Sequence, residues 1–304
     1  MKNPCNVNEN FGTIRKFIEC TVSCFEHHQI DSPRLTAEMI LAHALDMDKT
    51  SLYLYPERPI SGHHIALCRD LVARRIAREP LAYILGEAGF WSLMLHVTSD
   101  VLIPRPDTEC LVETALAHIP EKKSSNSPMR IIDLGTGSGA IILSLAKERP
   151  GHVFLAVDAS MPALRLSVKN AIRNDLEPHV AFFRGNWLDS VSRTGAGVFD
   201  MIVSNPPYIP AGDIPDLEPE VRCFEPFEAL NGGKDGLDDL RHIVTRAPLY
   251  LRRGGMLFLE IGFDQEEAVA EIIRKNGNYA HVVFHKDLAG HTRVVSMEKG
   301  FQSF

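Results

Sequence analysis

The chain has 304 residues, 45% hydrophobic and 23% charged, which excludes disordered, collagen-like and low-complexity architectures and leaves one large domain or two ordinary ones. A formal net charge of −7, from 39 acidic against 32 basic side chains, argues against a duplex DNA binder, whose phosphate contacts require a basic face. No run of roughly 18 uncharged apolar residues is present to span a membrane. The first ten residues lack the apolar stretch of a signal peptide, so a cytoplasmic protein without a membrane partner is expected.

Residues 1–85 predict a small helical bundle. Ile14, Phe17, Ile18, Val22 and Phe25 recur at helical spacing, and Ser32-Pro33 reads as an N-cap followed by a first-turn proline. Leu35, Met39, Ile40 and Ala44 continue that stripe. A third stripe, Ile65, Cys68, Leu71, Val72 and Ile76, faces away from Arg74 and Arg78 and ends at Glu79-Pro80. Arg69, Arg74, Arg75 and Arg78 read either as a recognition surface or as a solvated face. The six cysteines form no C-x-x-C pair, and Cys20 and Cys24, one helical turn apart, read as small core residues with free thiols. The doublets His27-His28 and His63-His64 lack further ligands at zinc-like spacing, so no metal centre is expected.

Residues 86–106 predict a β-hairpin connector. Phe90-Trp91 and Leu95–Val97 are strand-like, Thr98–Asp100 turn-like and Val101–Ile103 strand-like again. Pro104-Arg105-Pro106 forces extended backbone, and Asp107 can cap a helix carrying Leu111, Val112, Ala115 and Leu116. A solvated loop is expected at 121–128.

Residues 107–304 read as an α/β catalytic domain. Short apolar runs at Ile131-Ile132, Val153–Val157, Phe199–Ser204 and Met256–Ile261 alternate with helical segments at 141–148, 164–172 and 237–251, the last kinked by Pro248. That alternation predicts a parallel sheet covered on both faces. Ala280–Phe284 and Arg293–Met297 predict a closing antiparallel hairpin.

Two motifs carry chemistry. Asp133-Leu134-Gly135-Thr136-Gly137-Ser138-Gly139 follows a strand and opens a helix, and Asp158 ends the next strand, where a carboxylate can grip a ribose diol. Taken alone it could serve NAD or S-adenosylmethionine. The G-x-G-x-G spacing departs from the dinucleotide G-x-G-x-x-G. Asp133 would repel a phosphate and suits an ammonium, which favours the sulfonium cofactor. The second motif, Asn205-Pro206-Pro207-Tyr208, follows an apolar strand. Two prolines remove two N–H donors, leaving the Asn205 side-chain oxygen and the Pro206 carbonyl as paired acceptors for a planar –NH2, which Tyr208 can stack on or hold.

Together these motifs resemble the class I (Rossmann-like) S-adenosylmethionine-dependent methyltransferases that modify planar nitrogens. A wider set is similar to the HemK (PrmC-type) family of release factor glutamine-N5 methyltransferases. It comprises Phe90-Trp91, the signature Leu102-Ile103-Pro104-Arg105-Pro106-Asp107-Thr108-Glu109, Glu225-Pro226 with Ala229-Leu230, Gly232-Gly233, Asp235-Gly236-Leu237, and Asp287-Leu288-Ala289-Gly290 before Arg293. The resemblance implies transfer of a methyl group from S-adenosylmethionine, with S-adenosylhomocysteine as product, to the glutamine of the Gly-Gly-Gln motif of class 1 peptide chain release factors. It places Asp133, Gly135, Thr136, Gly137, Ser138, Gly139, Asp158, Asn186, Trp187 and Asn205 at the cofactor. Asp158 holds the ribose, and Asn186 and Trp187 flank the adenine. It places Asn205, Pro206, Pro207 and Tyr208 on the substrate amide, with Asn205, Pro206 and Tyr208 catalytic. Arg222, Cys223 and Phe224 receive no role.

The resemblance also implies that the helical segment recognises the protein substrate; a monomer without stable nucleic acid binding is expected. Alternatives are N5-glutamine methylation of a ribosomal protein, disfavoured by Pro106 where that group tends to carry Ser, and N6-adenine DNA methylation, disfavoured by the net acidity. An NAD-dependent oxidoreductase needs a different glycine spacing. A decayed, non-enzymatic module would have lost Asn205 or Asp158.

Overall fold

The computed structural model describes residues 12–121, 127–192 and 197–300. The first eleven residues and positions 122–126 of the expected solvated loop lie outside that range. The described residues divide into two compact units, 12–86 with 219–224 and 87–218 with 225–300.

The first unit is helical: Ile14–His27, Pro33–Leu45, Lys49–Leu54, Gly62–Ile76 and Leu81–Leu85, with the short Pro219–Arg222 helix beside them. Its core gathers Ile14, Phe17, Phe25, Ile40, Leu41, Leu71 and Val72. The second helix differs from its expected stripe, since Thr36, Ala37, Ile40, Leu41 and Ala44 face inward while Leu35 is exposed. Ser32 is also not a side-chain cap, because its backbone is left-handed at φ 47°. Cys24 is buried and held in a disulfide, not free as expected. The arginine face is not simply solvated: Arg75 is buried and pairs with Glu220 at 3.0 Å, and Arg78 reaches the same carboxylate at 3.3 Å. Arg222, Cys223 and Phe224 therefore belong to the stretch that completes the helical unit.

The second unit opens with a two-stranded hairpin, β1 (Glu87–Phe90) and β2 (Leu93–His96), turned at Trp91-Ser92. The expected hairpin lay further along the chain. Its second strand, Val101–Ile103, is irregular, and Trp91 takes the turn with a positive φ of 53°. The main sheet holds β3 (Arg130–Leu134), β4 (Val153–Asp158), β5 (Val180–Arg184), β6 (Phe199–Ser204), β7 (Leu251–Glu260), β8 (Tyr279–Lys286) and β9 (Thr292–Lys299), in the order β5-β4-β3-β6-β7-β9-β8. Pairing is parallel from β5 to β7 and antiparallel at β9 and β8. The expected helix over 237–251 is α-helical only over Asp238–Arg246 and tightens to a 3-10 turn at Ala247–Leu249, where Pro248 sits.

Alternation along the strands explains why both faces are filled. Ile131, Met201, Val203, Phe258 and Val294 pack on one side with the Glu109–Leu116 and Ala140–Glu148 helices. Ile132, Leu134, Ile202, Leu257, Leu259 and Val295 pack on the other with helices Asp238–Arg246 and Glu266–Asn276. Strand order reverses between β3 and β6, so their carboxyl ends open a crevice there. The Ser204 hydroxyl donates to the Leu134 carbonyl at 2.7 Å and holds those two ends together.

Candidate active site

The crevice is a cavity of about 560 Å³, within the range of small-molecule sites. Gly135, Thr136, Gly137 and Ser138 form one wall, with Asp158, Asn186, Trp187, Asn205 and Pro207 around them. Thus most of the residues singled out in the sequence meet in one place. The glycine loop takes its shape from backbone bonds: the Gly135 and Thr136 N–H groups both donate to the Val157 carbonyl, at 2.9 and 3.0 Å. Gly135, Gly137 and Gly139 all have positive φ. At Gly135 a side chain would also meet the Trp187 ring at 3.1 Å, so that position needs glycine twice over.

Asp158 is fixed on both oxygens. Oδ2 accepts the Gly137 N–H and Oδ1 accepts the Ser160 N–H, each at 2.8 Å. Burial raises its carboxyl pKa, and the backbone donors partly offset that. Each oxygen keeps lone-pair capacity toward the cavity for a hydroxyl pair. Trp187 holds a positive φ of 48° and donates its indole N–H to Asp239 Oδ1 at 3.1 Å.

Asn205 directly follows β6. Its Nδ2 donates to Thr108 Oγ1 at 3.2 Å, which leaves the side-chain oxygen as an acceptor. Other predicted residues stand back from the cavity wall. Asp133 is fully buried behind the loop and accepts the Thr136 hydroxyl at 2.7 Å. Burial pushes its carboxyl up to about 7. Gly139 packs against Leu143 and Ser167. Pro206 is buried, and the Tyr208 hydroxyl turns to Glu260 at 3.3 Å. Among the described residues no group of three His, Cys, Asp or Glu side chains could hold a metal ion, and no helix is long and apolar enough to cross a membrane.

Residues 17–86 match the PrmC N-terminal domain model, and 110–215 match the Methyltransferase small domain model. The release factor glutamine methyltransferase of Salmonella typhimurium is 44% identical over 268 residues, covering 87% of this chain and 91% of that one. The protein of the same name from Vibrio cholerae is 41% identical and covers 93% of this chain and 95% of its own. The chain belongs to the release factor glutamine methyltransferase family. In fold alone it resembles the hMettl16 catalytic domain in complex with the MAT2A 3′UTR hairpin 6, with a TM-score of 0.54 at 18% identity, over 77% of this chain and 83% of that one.

Several residues that shape this methyltransferase site carry no signal of their role in the sequence. Arg105 pairs with buried Glu225, Asp107 with Arg293 at 3.0 Å, and Glu109 accepts the Trp91 backbone N–H at 2.8 Å. The signature 102–109 is therefore anchored from three sides. Its spacing flags the segment, but no local pattern names these partners, two of which, Glu225 and Arg293, lie more than a hundred residues away. Asp239, in the first turn of its helix, reads from sequence as an ordinary N-terminal acid.

Proposed function

We propose that this family member transfers the methyl group of S-adenosylmethionine to the side-chain amide nitrogen of the Gly-Gly-Gln glutamine in class 1 peptide chain release factors, acting in the cytoplasm. The observation that carries this reading is that Asn205, with its oxygen free to accept, lines the same cavity as the glycine loop and Asp158. The names of relatives at 41–44% identity support the substrate.

The residues present fit the cofactor. Open space lies where a Gly137 side chain would project, so the loop wall can be approached closely there. Asp158 would hold the ribose hydroxyls, and Asn186 and Trp187 would border the adenine. When bound, S-adenosylmethionine supplies an electrophilic methyl on a positively charged sulfur and leaves as S-adenosylhomocysteine.

The protein's own contribution is positioning and dipoles. A carboxamide nitrogen is a weak nucleophile because its lone pair is shared with the carbonyl. Asn205 Oδ1, at the cavity wall, would take one hydrogen of the –NH2, and the amide would reach past it to place the other on the Pro206 carbonyl, which stands back from that wall, fixing its plane. Positive charge grows on that nitrogen as the new bond forms, and both acceptor dipoles then strengthen. Preorganised groups of this kind contribute on the order of 3–4 kcal/mol each in comparable sites. Tyr208, tied to Glu260, holds the far side of the motif, and the proton leaves to water. The helical unit would recognise the release factor.

The deciding experiment is mass spectrometry of a release factor after incubation with the enzyme and S-adenosylmethionine, beside DNA and ribosomal-protein controls. A single added methyl on the Gly-Gly-Gln glutamine is expected. Methylation of a control and not of the release factor overturns the assignment.

A further inference from the structure

A carboxamide can present either its oxygen or its NH2 to a partner, and the two faces have nearly the same shape. The chemistry above needs the oxygen of Asn205 toward the substrate. An Asn205 turned the other way would aim two hydrogens at the hydrogens of the glutamine amide and repel it. Something must therefore fix the flip. Among the described residues the Asn205 side chain has one hydrogen-bond partner, Thr108 Oγ1, which takes the Nδ2 hydrogen at 3.2 Å.

Thr108 is well placed to do so. It is 4% exposed, and it sits at the end of the 3-10 turn Pro106–Thr108, where its own N–H bonds the Arg105 carbonyl at 3.1 Å. The flanking anchors at Arg105, Asp107 and Glu109 leave this turn little freedom. Its hydroxyl oxygen is the acceptor in this bond, which forms with Nδ2 turned to Thr108 and Oδ1 turned away from it. Glu260, fully buried at the end of β7, accepts the Tyr208 hydroxyl on Oε1 at 3.3 Å, so the neighbouring residue of the Asn205 motif is held as well.

We propose that Thr108 is a positioning residue for methyl transfer, which, by accepting from Nδ2, holds the Asn205 carboxamide with its oxygen toward the substrate amide. This inference rests on the function proposed above. It gives the Pro-Arg-Pro-Asp-Thr-Glu segment a physical role, the delivery of one oriented oxygen to a residue 97 positions away.

The test uses the full chain with a release factor substrate and compares wild type, T108V and T108S. Valine keeps the shape and removes the acceptor; serine keeps the acceptor. We expect T108V to lower kcat by roughly tenfold or more, since misorienting one catalytic group costs that much or more. Cofactor affinity by calorimetry should change less than about twofold, because Asn205 orientation acts on the transition state. T108S should recover most of the activity. Should T108V melt below the assay temperature, T108S against T108A poses the same contrast, and serine should be the faster by a similar factor. Equal kcat in wild type and T108V overturns the proposal, as does a serine variant no better than valine or alanine, or a parallel loss of cofactor affinity. A wild-type enzyme that leaves the glutamine unmodified overturns the proposed function together with this inference; an active wild type with an equally active T108V overturns this inference alone.

Discussion

The Asn170 carboxamide donates to the Ser138 carbonyl at 2.9 Å and so ties the helix Met161–Arg173 to the floor of the glycine loop. The same side chain bonds both backbone groups of His96, accepting from its N–H at 2.6 Å and donating to its carbonyl at 3.0 Å. One buried amide thus fastens β2 and the loop to a single helix. N170A would orphan these groups, and each buried polar group left unsatisfied costs about 1–3 kcal/mol. We expect urea unfolding to show a loss of about 2–4 kcal/mol, with weaker cofactor binding because Ser138 lines the cavity. An unfolding midpoint equal to wild type would show that water replaces the amide without cost.

Much of this arrangement is legible in the sequence, for physical reasons. β3, β4, β6 and β7 are buried on two faces and so stand out as apolar runs between turn residues. β5 does not stand out because it is the sheet edge: of Val-Ala-Phe-Phe-Arg only Val180 is buried, and no burial pattern marks it. Val101–Ile103 misleads for the opposite reason. Its apolar side chains do not pair in a sheet; Val101 and Leu102 line the cavity. The hairpin turn falls earlier than expected because tryptophan carries no turn signal, although Trp91 adopts a left-handed backbone. The glycine loop and Asn205 are marked by residue type and spacing. Thr108 stands inside the 102–109 signature with no partner named, and Asn170 and Asp239 carry no mark at all, since hydrogen bonds across 97, 74 and 52 residues leave no periodicity to read.

Gly137 separates a ligand effect from a folding effect. It has a φ of +55°, yet a Cβ there would meet nothing within 4 Å. Alanine would therefore cost only backbone strain, about 1–2 kcal/mol. If the cofactor fills that space, its affinity in G137A should fall by roughly tenfold or more, the factor that about 1.4 kcal/mol or more of steric cost implies. Differential scanning calorimetry and titration calorimetry on one preparation read both quantities. Unchanged affinity would falsify the placement of the cofactor against this wall.

Asp239 sets the Trp187 ring through the 3.1 Å indole bond. D239A removes the acceptor, and D239N keeps an oxygen in place. With a partly buried charged acceptor the bond is worth about 1 kcal/mol, so cofactor affinity in D239A should fall roughly fivefold while D239N stays near wild type. The chain has two tryptophans, so indole fluorescence quenching on cofactor addition gives an independent reading, best made in a W91F background. Equal binding by D239A and wild type removes Asp239 from the site.

Asp133 gives a pH dependence with a definite sign. Burial pushes its carboxyl from the ordinary 3.8 up to about 7, the Thr136 hydroxyl opposing that rise. Between those values the folded protein keeps a proton that the unfolded chain has released. The folded state binds more protons in this window, so the stability linked to this group is fully present below about 4 and is lost as pH rises toward 7. D133N has no such titration. Its stability relative to wild type should therefore improve from pH 5 to pH 8, by on the order of 2–3 kcal/mol at about 1.4 kcal/mol per pKa unit. Chemical denaturation of both proteins across that range measures the difference and cancels the other carboxylates. A difference that stays flat would mean that Asp133 is ionised in the folded protein at acidic pH, with the Thr136 hydroxyl and loop dipoles outweighing its burial.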